Sequence, residues 1–79
     1  MKIGVVGAGA WGTALANLLA EKGFPVDLWA FERQVCEDIL ESRENKWFLP
    51  KVTLSKNLVP SNNLDRVAVG KDMLLLVMP

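Results

Sequence analysis

The sequence predicts an α/β fold: the first half of a doubly wound parallel sheet, with strand order 3-2-1-4. Three observations predict it. The first is Gly7-Ala8-Gly9-Ala10-Trp11-Gly12, a G-x-G-x-x-G turn between the apolar run Ile3 to Val6 and the helix-forming run Thr13 to Lys22. The second is the order of the elements, in which short apolar runs alternate with helical stretches as β-α-β-α-β-α-β. The third is the continuous apolar character of the first and last runs, which suits interior parallel strands better than half-wet alternating ones. Strand, glycine turn and helix in that order make the start Rossmann-like. Seventy-nine residues hold only an incomplete copy of such a sheet.

Ile3-Gly4-Val5-Val6 is the first strand, expected to be fully buried. The first helix is expected from about Ala10 to Lys22, with Trp11, Ala14, Leu15, Leu18 and Leu19 as the stripe that lies on the sheet. Gly23 follows where a left-handed cap is wanted, and Pro25 keeps Phe24 extended before the second strand, Val26 to Trp29. A second helix is expected from Arg33 to Arg43. Its buried face is Val35, Cys36, Ile39 and Leu40, and its solvated face Glu37, Asp38, Glu41 and Arg43. Pro50 and Pro60 exclude one long helix beyond it, leaving Val52 to Leu54 and Leu58-Val59 as short extended pieces. Asn62 or Asn63 caps a short helix that runs through Val69 and closes at Gly70. Met73 to Met78 is the last strand, expected to be buried on both faces beside the first.

Composition narrows the function classes. The chain has a formal net charge of zero, so it carries no electrostatic footprint for nucleic acid or an anionic membrane. Met73 to Met78 is its longest apolar run, far too short to span a bilayer. The start, Met1-Lys2 and four residues before a glycine, is too brief for a signal peptide and reads as a mature cytoplasmic terminus. With no histidine and a single cysteine, no metal ligand set is expected; Cys36 reads as a small core residue. The chain ends after an apolar strand with nothing to cover its outer side, so residues 1–79 are expected to be the first part of a longer polypeptide.

The glycine turn is the candidate site. Gly7 permits the tight turn out of the strand, Gly9 removes the side chain that would hold a pyrophosphate off the backbone, and Gly12 lets the helix pack on the strand. A diphosphate would lie on free N–H groups at the helix N-terminus, where the macrodipole favours negative charge. Ligands of such sheets bind outside the carboxyl ends of the strands, which here means between Gly7 and Pro79. Roughly twenty residues beyond the turn an acidic residue is expected on the ribose hydroxyls, and Glu32 falls in that window. Its carboxylate would repel a 2′-phosphate, which favours NAD and leaves NADP open; Arg33 argues the other way unless it faces solvent as the first residue of a helix. Phe31 reads either as a wall for the adenine ring or as a plug between strand and helix. Trp11 reads as a backbone contact to the cofactor through its N–H, with its indole in core or domain-contact packing.

Several blocks together resemble one family. G-A-G-A-W-G-T-A-L-A (Gly7 to Ala16), L-W-A-F-E (Leu28 to Glu32), R-E-N-K-W-F-L-P (Arg43 to Pro50) and V-M-P (Val77 to Pro79) are similar to successive blocks of NAD(P)-dependent glycerol-3-phosphate dehydrogenase, N-terminal part of the cofactor-binding domain. The resemblance implies that Ala10, Trp11, Phe31 and Glu32 occupy the family's cofactor-contact positions beside Gly7, Gly9 and Gly12. Bacterial members often have serine where Ala10 stands and a basic or histidine pair where Phe31 and Glu32 stand. The W-x-F-E form is closer to the NAD-using eukaryotic members. The resemblance further implies hydride transfer between NAD(P)H and dihydroxyacetone phosphate to give sn-glycerol 3-phosphate, a supply of phospholipid backbones. It places the catalytic lysines and a helical substrate domain beyond Pro79, so no catalytic residue is assigned here and this fragment alone is expected to be inactive. A homodimer stays open. Lys46, Lys51, Lys56 and Lys71 are not promoted to catalysis. Trp47, Phe48 and Leu49 read as core filler in preference to a lid over the adenine side of the cleft. Two further functions stay in view: a non-enzymatic NAD(H)-sensing module of a regulator or transporter, and an S-adenosylmethionine-dependent methyltransferase, which Trp11 and Gly12 disfavour.

Overall fold

The computed structural model describes residues 1–77. Met78 and Pro79, with the end of the expected last strand and of the V-M-P block, lie outside the described residues. Seven elements follow the expected order: β1 (Ile3–Val6), α1 (Ala10–Glu21), β2 (Val26–Trp29), α2 (Arg33–Ser42), β3 (Leu58–Ser61), α3 (Leu64–Ala68) and β4 (Met73–Leu76). The strands form one parallel sheet in the order β3-β2-β1-β4. Each crossover between them carries a helix, as parallel neighbours require.

Alternation along the strands sorts the two faces. Ile3, Val5, Val26, Leu28 and Leu58 point to one side and meet Ala16 and Ala20 of α1 and Val35 and Ile39 of α2 in the main core. Gly4 and its register partner Asp27 point to the other side, under α3. A Cβ on Gly4 would collide with the Val67 carbonyl, so glycine inside β1 marks the close seating of α3. Asp27 is held on that face by Lys71 at 3.0 Å and Arg66 at 3.9 Å. Lys71 also donates to the Arg66 and Val69 carbonyls at the end of α3. Its ammonium thus ties sheet to helix and is not a solvated surface charge. Asn63 caps α3 by accepting from Arg66 N, and Gly70 closes it at φ +74°.

Four expectations are corrected. The face of α1 on the sheet is Gly12, Thr13, Ala16, Asn17 and Ala20, while Trp11 (83% exposed), Ala14 and Leu18 (52%) look outward and Leu15 and Leu19 lie between. The helix lies too near the strand for leucines. The position of a Cβ on Gly12 is already taken by the Gly7 carbonyl, so only small side chains fit beneath. On α2, Val35, Cys36 and Ile39 are buried as expected, but Leu40 is exposed. Asp38 is buried and accepts from Gln34, and Arg43 takes the left-handed cap, its guanidinium donating to the Ser55 and Leu58 carbonyls. Val52 to Leu54 form no strand; Leu54 is an anchored core residue whose N–H donates to Arg43 at 2.7 Å. The β4 strand is not buried on both faces, because among the described residues no helix packs closely over it; Leu74 and Leu76 are exposed.

Cys36 is the core residue the sequence suggests, and burial first of all pushes its thiol up from the ordinary value. The tightest constraint is at Gly12. Replacing Gly12 by alanine should destabilise the fold by about 1–3 kcal/mol, because backbone and not a flexible side chain stands in the way. Thermal unfolding checks this, and a midpoint within a degree or so of the parent would contradict it.

Candidate functional site: a cleft at the carboxyl ends of the strands

The strand order reverses between β1 and β4, and a cleft of about 390 Å³ opens there. That volume suits a small organic ligand. Its floor is the turn from Gly7 to Gly12. Phe31 and Glu32 from the end of β2 line it, as do Trp29, Phe48 and Val77. All seven residues that the sequence singles out, Gly7, Gly9, Ala10, Trp11, Gly12, Phe31 and Glu32, are therefore brought to one cleft.

The turn is built by two steric constraints and one freedom. Gly7 has φ +119°, closed to L side chains, and a Cβ there would strike the Val77 carbonyl. Gly12 is occupied as described. Gly9 differs from both. Its φ is −71° and ψ −171°, a conformation any residue adopts, and a Cβ there would meet nothing within 4 Å. The fold gives no reason for glycine at position 9. A ligand approaching the backbone does.

Gly9 is also the N-cap of α1, with no side-chain cap and no acidic residue in the first turn. The first intrahelical bond runs from Thr13 N to Gly9 O at 3.0 Å. The preceding amides of the helix are the donors that an α-helix leaves without internal partners, and they sit at the positive end of its dipole. An anion is the partner this end lacks. By contrast α3 carries its own Asn63 cap.

Both walls of the cleft are aromatic. Phe31 is 77% exposed and stands edge-on to Trp29 at 6.2 Å, so it plugs no gap between strand and helix. Trp29 is fixed by its indole N–H, which donates to the Asn62 carbonyl. Glu32 is the N-cap residue of α2, half-buried at the cleft, and Arg33 behind it opens the helix and is exposed. The Trp11 indole is out of the core of the described residues, whereas its backbone stays in the turn.

The core reading of Trp47, Phe48 and Leu49 is overturned. Trp47 is 57% exposed and Phe48 38%, and Phe48 faces the cleft. The residue of that block that is buried is Asn45, fully, under the turn. Its Nδ2 donates to the Ala8 carbonyl at 3.0 Å and to Thr13 Oγ1 at 2.8 Å. Its Oδ1 accepts from Phe48 N at 3.2 Å. An asparagine in a charged stretch after a helix gives no sign in sequence that it will be buried. Among the described residues no group of three or more His, Cys, Asp or Glu could hold a metal ion, and no helix is long and apolar enough to cross a membrane.

A parallel sheet of this order, a bare helix N-terminus and a cleft at the reversal define a Rossmann-like α/β domain in its first half. A family model described as the N-terminus of NAD-dependent glycerol-3-phosphate dehydrogenase matches residues 2–79. The chain belongs to that family. A glycerol-3-phosphate dehydrogenase (NAD(P)+) of Syntrophobacter fumaroxidans is 53% identical over 77 residues, which are 98% of this chain and 23% of that protein. The crystal structure of glycerol-3-phosphate dehydrogenase from Coxiella burnetii matches with a TM-score of 0.89 at 35% identity, over 99% of this chain and 24% of that one. The Saccharomyces cerevisiae enzyme also matches at 0.89, with 33% identity, over 100% of this chain and 26% of that one. The chain thus spans about a quarter of the length of the relatives it matches.

Phe48 separates the two readings of its block. Phe48→Ala should lower stability by about 1–2 kcal/mol, since Phe48 keeps 38% of its surface exposed and has only part of a buried ring's area to lose. Denaturant unfolding measures it, and a loss of about 3 kcal/mol or more, as for a buried phenylalanine, would restore the core reading.

Proposed function

We propose that this chain is the N-terminal part of the NAD(P)-binding domain of a glycerol-3-phosphate dehydrogenase, with Gly7, Gly9, Ala10, Trp11, Gly12, Phe31 and Glu32 as its cofactor-contacting residues. The observation that carries it is Gly9, a glycine that neither backbone conformation nor packing requires, set at the uncapped start of α1. The diphosphate of the cofactor lies against the amides of the turn, and the adenosine lies between Phe31 and Phe48 with Glu32 toward its ribose. When bound, the nicotinamide carries the hydride. The chain's own residues bind and orient: the turn holds charge by N–H donation, and the aromatic walls keep water from the apolar part of the ligand.

The whole protein, on this reading, interconverts dihydroxyacetone phosphate and sn-glycerol 3-phosphate, in keeping with its glycerol-3-phosphate dehydrogenase relatives. Catalytic lysines and a helical substrate domain belong to the part of such a protein beyond residue 79. Cytoplasmic location, a homodimer and the absence of a nucleic-acid partner go with the same proposal. The non-enzymatic sensor and the methyltransferase have no comparable support, since family model and relatives name a dehydrogenase. NAD is preferred over NADP on the charge of Glu32, although the bacterial relatives are named for NAD(P)+.

Titration with NADH, followed by quenching of the cleft tryptophans Trp11 and Trp29, tests the reading on the full-length polypeptide. Saturable quenching is expected. Gly9→Ala should leave the unfolding midpoint almost unchanged and weaken NADH binding by about tenfold or more. An unimpaired Gly9→Ala protein, or no binding at all, would sink the proposal. Glu32→Gln should shift the ratio of NADH to NADPH affinity toward NADPH by about tenfold, through loss of repulsion at the 2′ position. An unchanged ratio removes Glu32 from cofactor selection.

A further inference from the structure

We propose that Asn45 is a positioning residue that locks the Ala8–Gly9 peptide with its N–H toward the cleft. The inference rests on the cleft being a dinucleotide site. Asn45 and Thr13 are both fully buried. Asn45 donates to Ala8 O at 3.0 Å and to Thr13 Oγ1 at 2.8 Å, and Thr13 Oγ1 donates to Ala8 O at 3.2 Å. The three groups close a triangle in which one carbonyl accepts twice. Asn45 Oδ1 is engaged by Phe48 N, and its main-chain carbonyl by Leu49 N at 2.9 Å.

The triangle fixes more than a loop. In a trans peptide the C=O and the following N–H point in opposite directions, and the described residues have no cis peptide. Holding the Ala8 oxygen inward therefore aims the Gly9 N–H outward, and Gly9 is an exposed residue of the cleft floor. Gly9 itself offers little resistance to rotation of that peptide, because it has no Cβ. A flipped peptide would present a carbonyl oxygen to a diphosphate, exchanging attraction for repulsion. The glycine that grants a phosphate access thus leaves its own amide unconstrained, and Asn45 supplies the constraint from a segment 37 residues away. The same side chain, through Phe48 N, fixes the start of the segment that carries the second aromatic wall.

The test compares ligands with and without the diphosphate on the full-length polypeptide: NADH, ADP and adenosine, against the parent, Asn45→Ala, Thr13→Val and Thr13→Ser. Asn45→Ala should weaken NADH and ADP by about tenfold or more and adenosine by no more than about threefold, the smaller loss coming through the Phe48 segment that Asn45 also holds. Thr13→Val should weaken NADH about threefold, and Thr13→Ser, which keeps the hydroxyl, should restore the parent affinity. Parallel losses for ADP and adenosine, or NADH affinity retained in Asn45→Ala, would overturn the proposal. If Asn45→Ala does not fold, the Thr13 pair decides, and equal affinities of valine and serine variants refute it. Should the parent bind no NADH, the function proposed above fails. Amide relaxation dispersion at Gly9 then still judges the lock: exchange should appear in Asn45→Ala or Thr13→Val and be absent from the parent.

Discussion

Helix α1 rests on the carbonyl of Gly7, and the rest of the structure follows from that contact. A helix this close to β1 has room beneath it for hydrogen, methyl and hydroxyethyl groups, and Gly12, Ala16 and Thr13 supply them. The same closeness brings the helix start against the end of the strand, so that its free amides open onto the carboxyl edge of the sheet. Site and packing are one geometric decision. Loosening the contact would both empty the core under α1 and move the donors of the cleft.

Polar chemistry then completes what the glycines leave unfixed. Gly7 and Gly12 meet the steric demands of the turn and Gly9 leaves its backbone bare, yet glycine is the residue least able to hold a conformation. Rigidity comes from elsewhere: the Asn45–Thr13 pair beneath Ala8, the bond from Gly7 N to Trp29 O at 3.2 Å, and that from Val77 N to Val6 O at 2.9 Å. The second face of the sheet is organised on the same lines. Gly4 makes room for α3, and the charged group of Asp27, Lys71 and Arg66 holds it there. In both places a glycine creates proximity and a polar group secures it.

The strands, their order and the site floor were legible because they are written in local signals. A glycine turn, caps at Gly23, Asn63 and Gly70, and apolar runs each depend on a few neighbouring residues. What escaped was anything decided by distance between elements. The leucine stripe of α1 has helical spacing, but spacing says which residues share a face and not which face is buried; the Gly7 carbonyl decides that. Trp47 and Phe48 look like core by composition, and the buried member of their block is the polar Asn45, whose partners lie 32 and 37 residues earlier. Arg43 and Asp38 have the charge of a solvated face, but Arg43 is recruited by the Ser55 and Leu58 carbonyls and Asp38 by Gln34 one turn earlier on its own helix. Exposure of β4 follows from the lack of a helix packed over it among the described residues, which no property of its own apolar letters reveals.

The two borders of the sheet are unlike. On β3 the amides and carbonyls that bond to β2 belong to the alternate residues, as Val26 N to Asn57 O and Ala30 N to Ser61 O show, so Leu58 and Pro60 look away from the sheet. Proline there has no N–H to offer, which blunts that border against recruitment of another strand. The outer border of β4 carries no such block among the described residues: Met73 N donates to Lys2 O on the β1 side, and the alternate residues Leu74 and Leu76 are not proline. A further strand therefore meets less resistance beside β4 than beside β3.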